Sequence, residues 1–209
     1  MQIAFLGDSL TEGWPGAAYF PLLQARLPRH ELLNLGRAGD TVVDLLRRVT
    51  HRGLDPVDLA FIWVGVNDAV MGAWDTAGDG AGTGWGRPER LARIRGDYEE
   101  VVEWTAARAS RIVCVRPIVL EADGSVWQEA ADELGDVIAT LAGGRNGARA
   151  LDLRPAFAAA KDGGAGPFTT DGVHFTDAGA TVVAASFAAV IEEIDRGQAA
   201  DDFPAAVRC

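Results

Sequence analysis

Ile3-Ala4-Phe5-Leu6-Gly7-Asp8-Ser9-Leu10 decides how this chain is read. Four apolar residues in succession, without alternation, describe a strand buried on both faces, as in parallel sheets. Gly7 ends the run and is expected to free the backbone for a sharp exit. A polar pair, Asp8-Ser9, then stands at the carboxyl end of the strand, where open α/β sheets bind ligands. The same signature recurs at Glu31–Leu35 (broken by Gly36), Asp58–Val64 (stopped at Gly65), Arg111–Val115 (ended by Pro117) and Ala150–Leu153 (ended at Arg154-Pro155).

Helical periodicity fills the intervals, over Ala18–Leu27, Thr41–Val49, Glu89–Ala109, Trp127–Leu141 and Ala178–Ile194. Asp40 or Thr41 can cap the second of these, and Thr176 or Asp177 the last. Strand then helix, five times over, predicts an α/β sheet covered on both faces with right-handed connections. Asp75–Gly86 is Gly-rich and aperiodic and reads as a long loop. Residues 1–196 read as one domain and 197–209 as a flexible acidic tail.

A chain of 209 residues can bury one sizeable core. Its 19 Lys and Arg against 30 Asp and Glu give a net charge of −11. That balance repels phosphate backbones and anionic membrane surfaces, so no nucleic-acid partner is expected. The two cysteines, Cys114 and Cys209, make no disulfide framework, and Cys114 sits in an apolar run as a buried thiol would. No leader precedes the first strand and no apolar window is long enough to span a bilayer, so a cytoplasmic protein without a membrane span is expected.

Elimination narrows the chemistry. The single lysine, Lys161, is followed by Asp162, which removes a P-loop. No Cys pair or HExxH helix has zinc spacing, no G-x-G-x-x-G follows a strand, and no G-x-S-x-G elbow occurs. Among the serines (Ser9, Ser110, Ser125, Ser186), only Ser9 follows a strand at its carboxyl end. By position alone, a nucleophile and a simple turn cap are equally good readings of it. His174, in Thr170-Asp171-Gly172-Val173-His174-Phe175, tips the balance: a serine hydroxyl needs a base, and imidazole serves near neutral pH. Asp171, three residues earlier, can reach one ring nitrogen in a tight loop. Asn67 in Gly65-Val66-Asn67-Asp68 and Gly39 in the block 34–41 (NLGRAGDT) offer an amide and free N–H groups to an oxyanion, although each alone reads equally as turn chemistry. Trp14, Trp74 and Trp85 can wall a substrate site or merely pack loops. Asp8, Asp40 and Asp68 crowd the same edge and read as turn or cap residues rather than metal ligands. His30 and His51 read as surface residues.

Together, GDSL at 7–10, Gly39 in NLGRAGDT, GVND at 65–68 and DGVH at 171–174 resemble the four blocks of the SGNH (GDSL-type) hydrolases, in the same order and over residues 2 to 195. The resemblance implies a flavodoxin-like three-layer α/β/α sandwich on a five-stranded parallel sheet of order 2-1-3-4-5. It implies Ser9 as nucleophile, His174 as general base and then acid, and Asp171 as the orienting carboxylate. The oxyanion hole it implies comprises the N–H of Ser9, the N–H of Gly39 and the side chain of Asn67. Gly36 competes for the second role, but the family's glycine precedes the Asp-Thr pair. No metal or cofactor is implied. The activity expected is that of a serine esterase on a small-molecule ester, of short-chain (acetyl) type on a sugar or metabolite. An acyltransferase, or a lysophospholipase or thioesterase, is the rival on the same scaffold, and a non-catalytic ligand-binding module is the rival from another class.

Overall fold

Five parallel strands carry the chain: β1 (Gln2–Gly7), β2 (Glu31–Gly36), β3 (Val57–Trp63), β4 (Ala109–Val115) and β5 (Ala148–Leu151), side by side in the order β2-β1-β3-β4-β5. The structure is a computed structural model and describes residues 1–77, 87–120 and 126–197. Between and after the strands run α1 (Ser9–Glu12), α2 (Phe20–Arg26), α3 (Val42–Arg52), α4 (Val66–Ala77), α5 (Arg87–Ala106), α6 (Val126–Gly143), α7 (Arg154–Asp162) and α8 (Asp177–Asp195). The parallel direction is that expected from the apolar runs, and the order is that implied by the family resemblance.

Both sheet faces are buried, which is why the runs do not alternate. Ile3 and Phe5 point to one side, with Phe61, Trp63, Phe20 and Leu23 of α2, Phe157 of α7 and Phe187 of α8. Ala4 and Leu6 point to the other, with Ile62, Leu45 of α3, Tyr98 of α5 and Ile138 of α6. Cys114 lies on this second side, and burial pushes its thiol up to about 12, so it is inert at neutral pH.

Register aligns the strand ends. Gly7 stands opposite Gly36 on one side and Trp63 on the other. The segments leaving β1, β2 and β3 therefore start at one level and on one edge. Gly7 is needed there for a different reason than a left-handed turn. An added Cβ would stand 2.5 Å from the Trp63 carbonyl oxygen and run into the Thr11 side chain.

Besides the single turn of α1, two helices run where no helix was expected. In α7, Pro155 sits in the first turn, where its missing N–H and fixed φ suit a helix start, so the Arg154-Pro155 stop signal is also a start signal. In α4, the Asn-Asp turn chemistry at 67–68 is the first turn of a helix, and the predicted loop's first residues, 75–77, complete it. Residues 78–86 of that loop and 198–209 of the tail lie outside the described residues. Thr41 rather than Asp40 caps α3, in a reciprocal capping box with Asp44, and Thr176 caps α8. His30 corrects another expectation: its side chain is only 6% exposed, near Asp195 and the Met1 amino group. Among the described residues no helix is long and apolar enough to cross a membrane.

Candidate active site

Ser9 is the first residue of α1, immediately after the end of β1, and is 4% exposed. Asp8 caps this turn, its Oδ1 accepting the Leu10 N–H at 3.0 Å. His174 comes from the far end of the chain, on the loop before α8. Its Nε2 lies 3.1 Å from Ser9 Oγ, and its Nδ1 lies 2.7 Å from Asp171 Oδ2. A carboxylate only accepts, so the ring proton resides on Nδ1 and Nε2 is left to accept from Ser9.

The loop is built to hold that ring. Asp171 Oδ1 accepts the backbone N–H of Val173 (3.0 Å) and of His174 (2.8 Å), folding the three-residue interval back on itself. Gly172 takes φ +89°, a conformation that favours glycine, and its carbonyl accepts the Leu120 N–H at 2.7 Å. Thr170 N–H donates to the His174 carbonyl at 2.8 Å. The adjacent Phe175 is buried, its ring 5.9 Å from those of Trp63 and Phe157, so the aromatic core anchors the histidine. Burial alone would raise the Asp171 carboxyl. Hydrogen bonds from the His174 ring and from the N–H groups of His174 and Val173 outweigh it and hold the group below its ordinary range, so Asp171 is ionised at neutral pH.

Asn67, in the first turn of α4, donates one of its two Nδ2 hydrogens to the Asp40 carbonyl at 2.9 Å. Gly39 takes φ +81°. No described group accepts the Gly39 or Ser9 N–H. Gly36, the competitor, has its N–H engaged by Asn34 Oδ1 at 2.9 Å. Trp14 is 68% exposed, its N–H held by the Ser9 carbonyl at 3.3 Å. Trp74 falls on α4, and Trp85 lies outside the described residues. The structure thus gathers Ser9, His174 and Asp171 directly and sets Gly39, Asn67 and Trp14 on the same edge. Among the described residues no cluster of three His, Cys, Asp or Glu is arranged to hold a metal ion.

Sequence reasoning missed what lies behind this edge. The Asp40 carboxylate pairs with Arg48, Nε to Oδ2 at 2.7 Å, and Asp68 Oδ2 accepts the Val42 N–H at 3.0 Å. Burial raises the Asp8 carboxyl from its ordinary 3.8 to about 7, the Leu10 N–H opposes this, and the charges of Asp68 and Asp40 add to it. Burial likewise raises Asp68 to about 6. Between 3.8 and about 7 the folded protein holds a proton on Asp8 that the unfolded chain has released. Stability is therefore lost as pH rises through that window, and the penalty is complete above it. Asp8→Asn keeps the capping oxygen and removes the charge. Its stability advantage over the wild type is expected to grow by on the order of 2 kcal/mol between about pH 5 and pH 8. Urea denaturation at both pH values measures this, and an advantage independent of pH would refute it.

The family model of GDSL-like lipases and acylhydrolases matches residues 5–182. No curated protein matches the sequence. Among solved structures, the α/β hydrolase LAE5 from the metagenome of Lake Arreo, Spain, is 26% identical with a TM-score of 0.73, over 91% of this chain and 94% of that one. The acetyl xylan esterase AlAXEase is 24% identical with a TM-score of 0.73, over 91% and 100%. Axe2, an acetylxylan esterase from Geobacillus stearothermophilus, is 20% identical with a TM-score of 0.71, over 89% and 91%. The last two likenesses show a common fold.

Proposed function

Since the chain belongs to the GDSL-like lipase/acylhydrolase family and is a serine hydrolase acting on ester bonds, we propose that Ser9 is its nucleophile, His174 its general base and acid, and Asp171 the carboxylate that orients the histidine. The observation that carries this is the unbroken hydrogen-bonded relay from Ser9 Oγ through the His174 ring to Asp171. Ser9 Oγ attacks the ester carbonyl as its proton passes to His174 Nε2. Asp171, ionised and bonded to Nδ1, stabilises the imidazolium. The N–H of Ser9, the N–H of Gly39 and the Asn67 amide receive the oxyanion. His174 returns the proton to the departing alcohol, then takes one from a water whose oxygen attacks the acyl carbon, and gives it to Ser9 Oγ as the acyl group leaves as a carboxylic acid.

The substrates we infer are short-chain esters of acetyl type on a sugar or small metabolite. Trp14 supports this, since its backbone N–H is held by the Ser9 carbonyl and its exposed indole offers a flat apolar face to a sugar ring. The net charge of −11 disfavours polyanionic substrates. Two of the fold's neighbours, AlAXEase and Axe2, are acetyl xylan esterases. Hydrolysis of p-nitrophenyl esters from acetyl to palmitoyl, by the wild type and Ser9→Ala side by side, tests the reading. Ser9-dependent turnover that falls with chain length is expected. A preference for long chains would move the substrate to lipids or thioesters. Turnover that appears only when a second alcohol is supplied would make the enzyme an acyltransferase, and no Ser9-dependent reaction on any ester would leave a binding module.

A further inference from the structure

We propose that Arg48 is the positioning residue of the oxyanion hole, clamping the loop that carries Gly39 to the strand end that carries Ser9. The inference rests on the ester-hydrolase reading above and adds a residue that touches no substrate. Arg48 lies on α3, and its guanidinium makes two bonds in different directions. Nε donates to Asp40 Oδ2 at 2.7 Å, and Nη2 donates to the Gly7 carbonyl at 3.2 Å. Gly7 ends β1 two residues before Ser9, and Asp40 directly follows Gly39. The Asp40 carbonyl in turn receives the Asn67 amide. One cation therefore bridges the segments of Ser9 and Gly39 directly, and the segment of Asn67 joins them through Asp40.

Three features separate this from ordinary helix chemistry. The Asp40 carboxylate is not needed as a cap, because Thr41 caps α3 and Asp44 completes the box. The pair is nearly dry, with side chains 11% and 7% exposed, and a buried ion pair is a poor source of net stability compared with apolar packing. Finally, nothing stands within 4 Å of the point where a Gly39 Cβ would lie, and the Arg48 side chain adds to two backbone bonds of the same loop, from the Arg37 N–H to the Gly7 carbonyl at 3.1 Å and from the Ala38 N–H to Glu12 Oε2 at 2.6 Å. Donors aimed at a developing oxyanion work only within a few tenths of an ångström, which a rigid planar fork with fixed N–H directions can impose.

Arg48→Lys tests the clamp. It keeps the charge that compensates Asp40, yet one ammonium cannot reproduce the fork to both Asp40 and Gly7. The melting temperature is expected to stay near that of the wild type while kcat for p-nitrophenyl acetate falls by about ten- to a hundredfold and KM changes by less than about threefold, since the lost interaction is made in the transition state. In an Asn67→Ala background the same change is expected to lower kcat by a smaller factor than in the wild type, because the part of the clamp's effect that runs through the Asn67 amide is already gone while the part that runs through Gly39 remains. Independently of turnover, the hydrogen that Asn67 gives to Asp40 is followed by 1H–15N spectroscopy. Its shift and its exchange protection are expected to be lost in Arg48→Lys and in Arg48→Met while the rest of the spectrum remains folded. Wild-type kcat in Arg48→Lys, fully multiplicative losses in the double variant, or an unchanged Asn67 amide would each overturn the proposal. If the wild type shows no Ser9-dependent turnover, the hydrolase reading fails, and the amide spectra still decide the clamp.

Discussion

Ser9→Ala is expected to lower ester turnover by on the order of 10⁴- to 10⁶-fold and to leave the fold intact. The size follows from what is removed. Ser9 Oγ is the atom that would carry the acyl group, and no other serine among the described residues is placed to replace it: Ser110 lies in β4 and Ser186 gives its hydroxyl to the Val182 carbonyl within α8. The fold is spared because the lost hydroxyl makes one bond, to His174 Nε2, on a ring that retains Asp171 on its other nitrogen. The backbone of residue 9 keeps its role, since the Gly13 N–H still finds the carbonyl of that residue at 2.8 Å. Melting temperature and circular dichroism should match the wild type. Mass spectrometry after reaction with a slowly hydrolysed ester should show an acyl adduct on the peptide containing Ser9 in the wild type and none in the variant. An adduct elsewhere, or turnover within tenfold of the wild type, would remove Ser9 from its proposed role.

The sheet was legible because its physics is local. A strand buried on both faces must be apolar at every position, and it must end where a glycine or a polar turn lets the chain leave, so IAFLG and FIWVG declare themselves without reference to the rest of the chain. The placement of the candidate site was legible for a related reason, although its residues read singly as turn chemistry and only the family resemblance gave them roles. Ser9, Gly39 and Asn67 each follow a strand end within a few residues, and parallel register brings such ends to one edge. His174 and Asp171 announced their own geometry through a three-residue interval that the side chain of Asp171 closes.

What was not legible depends on pairs distant in sequence. Arg48 sits amid RRVTHR on an amphipathic helix, and nothing in that run distinguishes it from its neighbour Arg47. Only the fold shows that Arg47 is largely exposed beside Asp44 while Arg48 turns inward to Asp40. His30 reads as a polar residue in a polar run, yet the start of β1 and the end of α8 close over it. The helices α4 and α7 were hidden because the signals that open a helix, Asn-Asp and Pro in its first turn, are also the signals of a turn. Local chemistry leaves that ambiguity, and tertiary packing resolves it.

Asn67→Ala is the second large effect. The substitution is expected to lower kcat by about 10²- to 10³-fold with KM within about threefold of the wild type, the range for loss of one oxyanion donor. Asn67 Nδ2 carries two hydrogens. One is spent on the Asp40 carbonyl at 2.9 Å, and that bond aims the other. Alanine deletes the donor, and the ester's ground-state carbonyl, which carries little charge, barely registers the loss; the tetrahedral oxyanion registers it in full. The fold should tolerate the change, because alanine is the better helix former and α4 keeps Asp68 on the Val42 N–H. Asn67→Asp sharpens the test. It preserves size and shape but sets an acceptor, and above the carboxyl's titration a negative charge, where the oxyanion forms. It is expected to lose at least as much activity as alanine and to regain part of it as pH is lowered and the carboxyl takes up a proton that it can donate. Steady-state kinetics of both variants on p-nitrophenyl acetate across pH decide the matter. A raised KM at constant kcat would make Asn67 a ground-state binding residue, and wild-type kinetics in Asn67→Ala would take the side chain out of the oxyanion hole altogether.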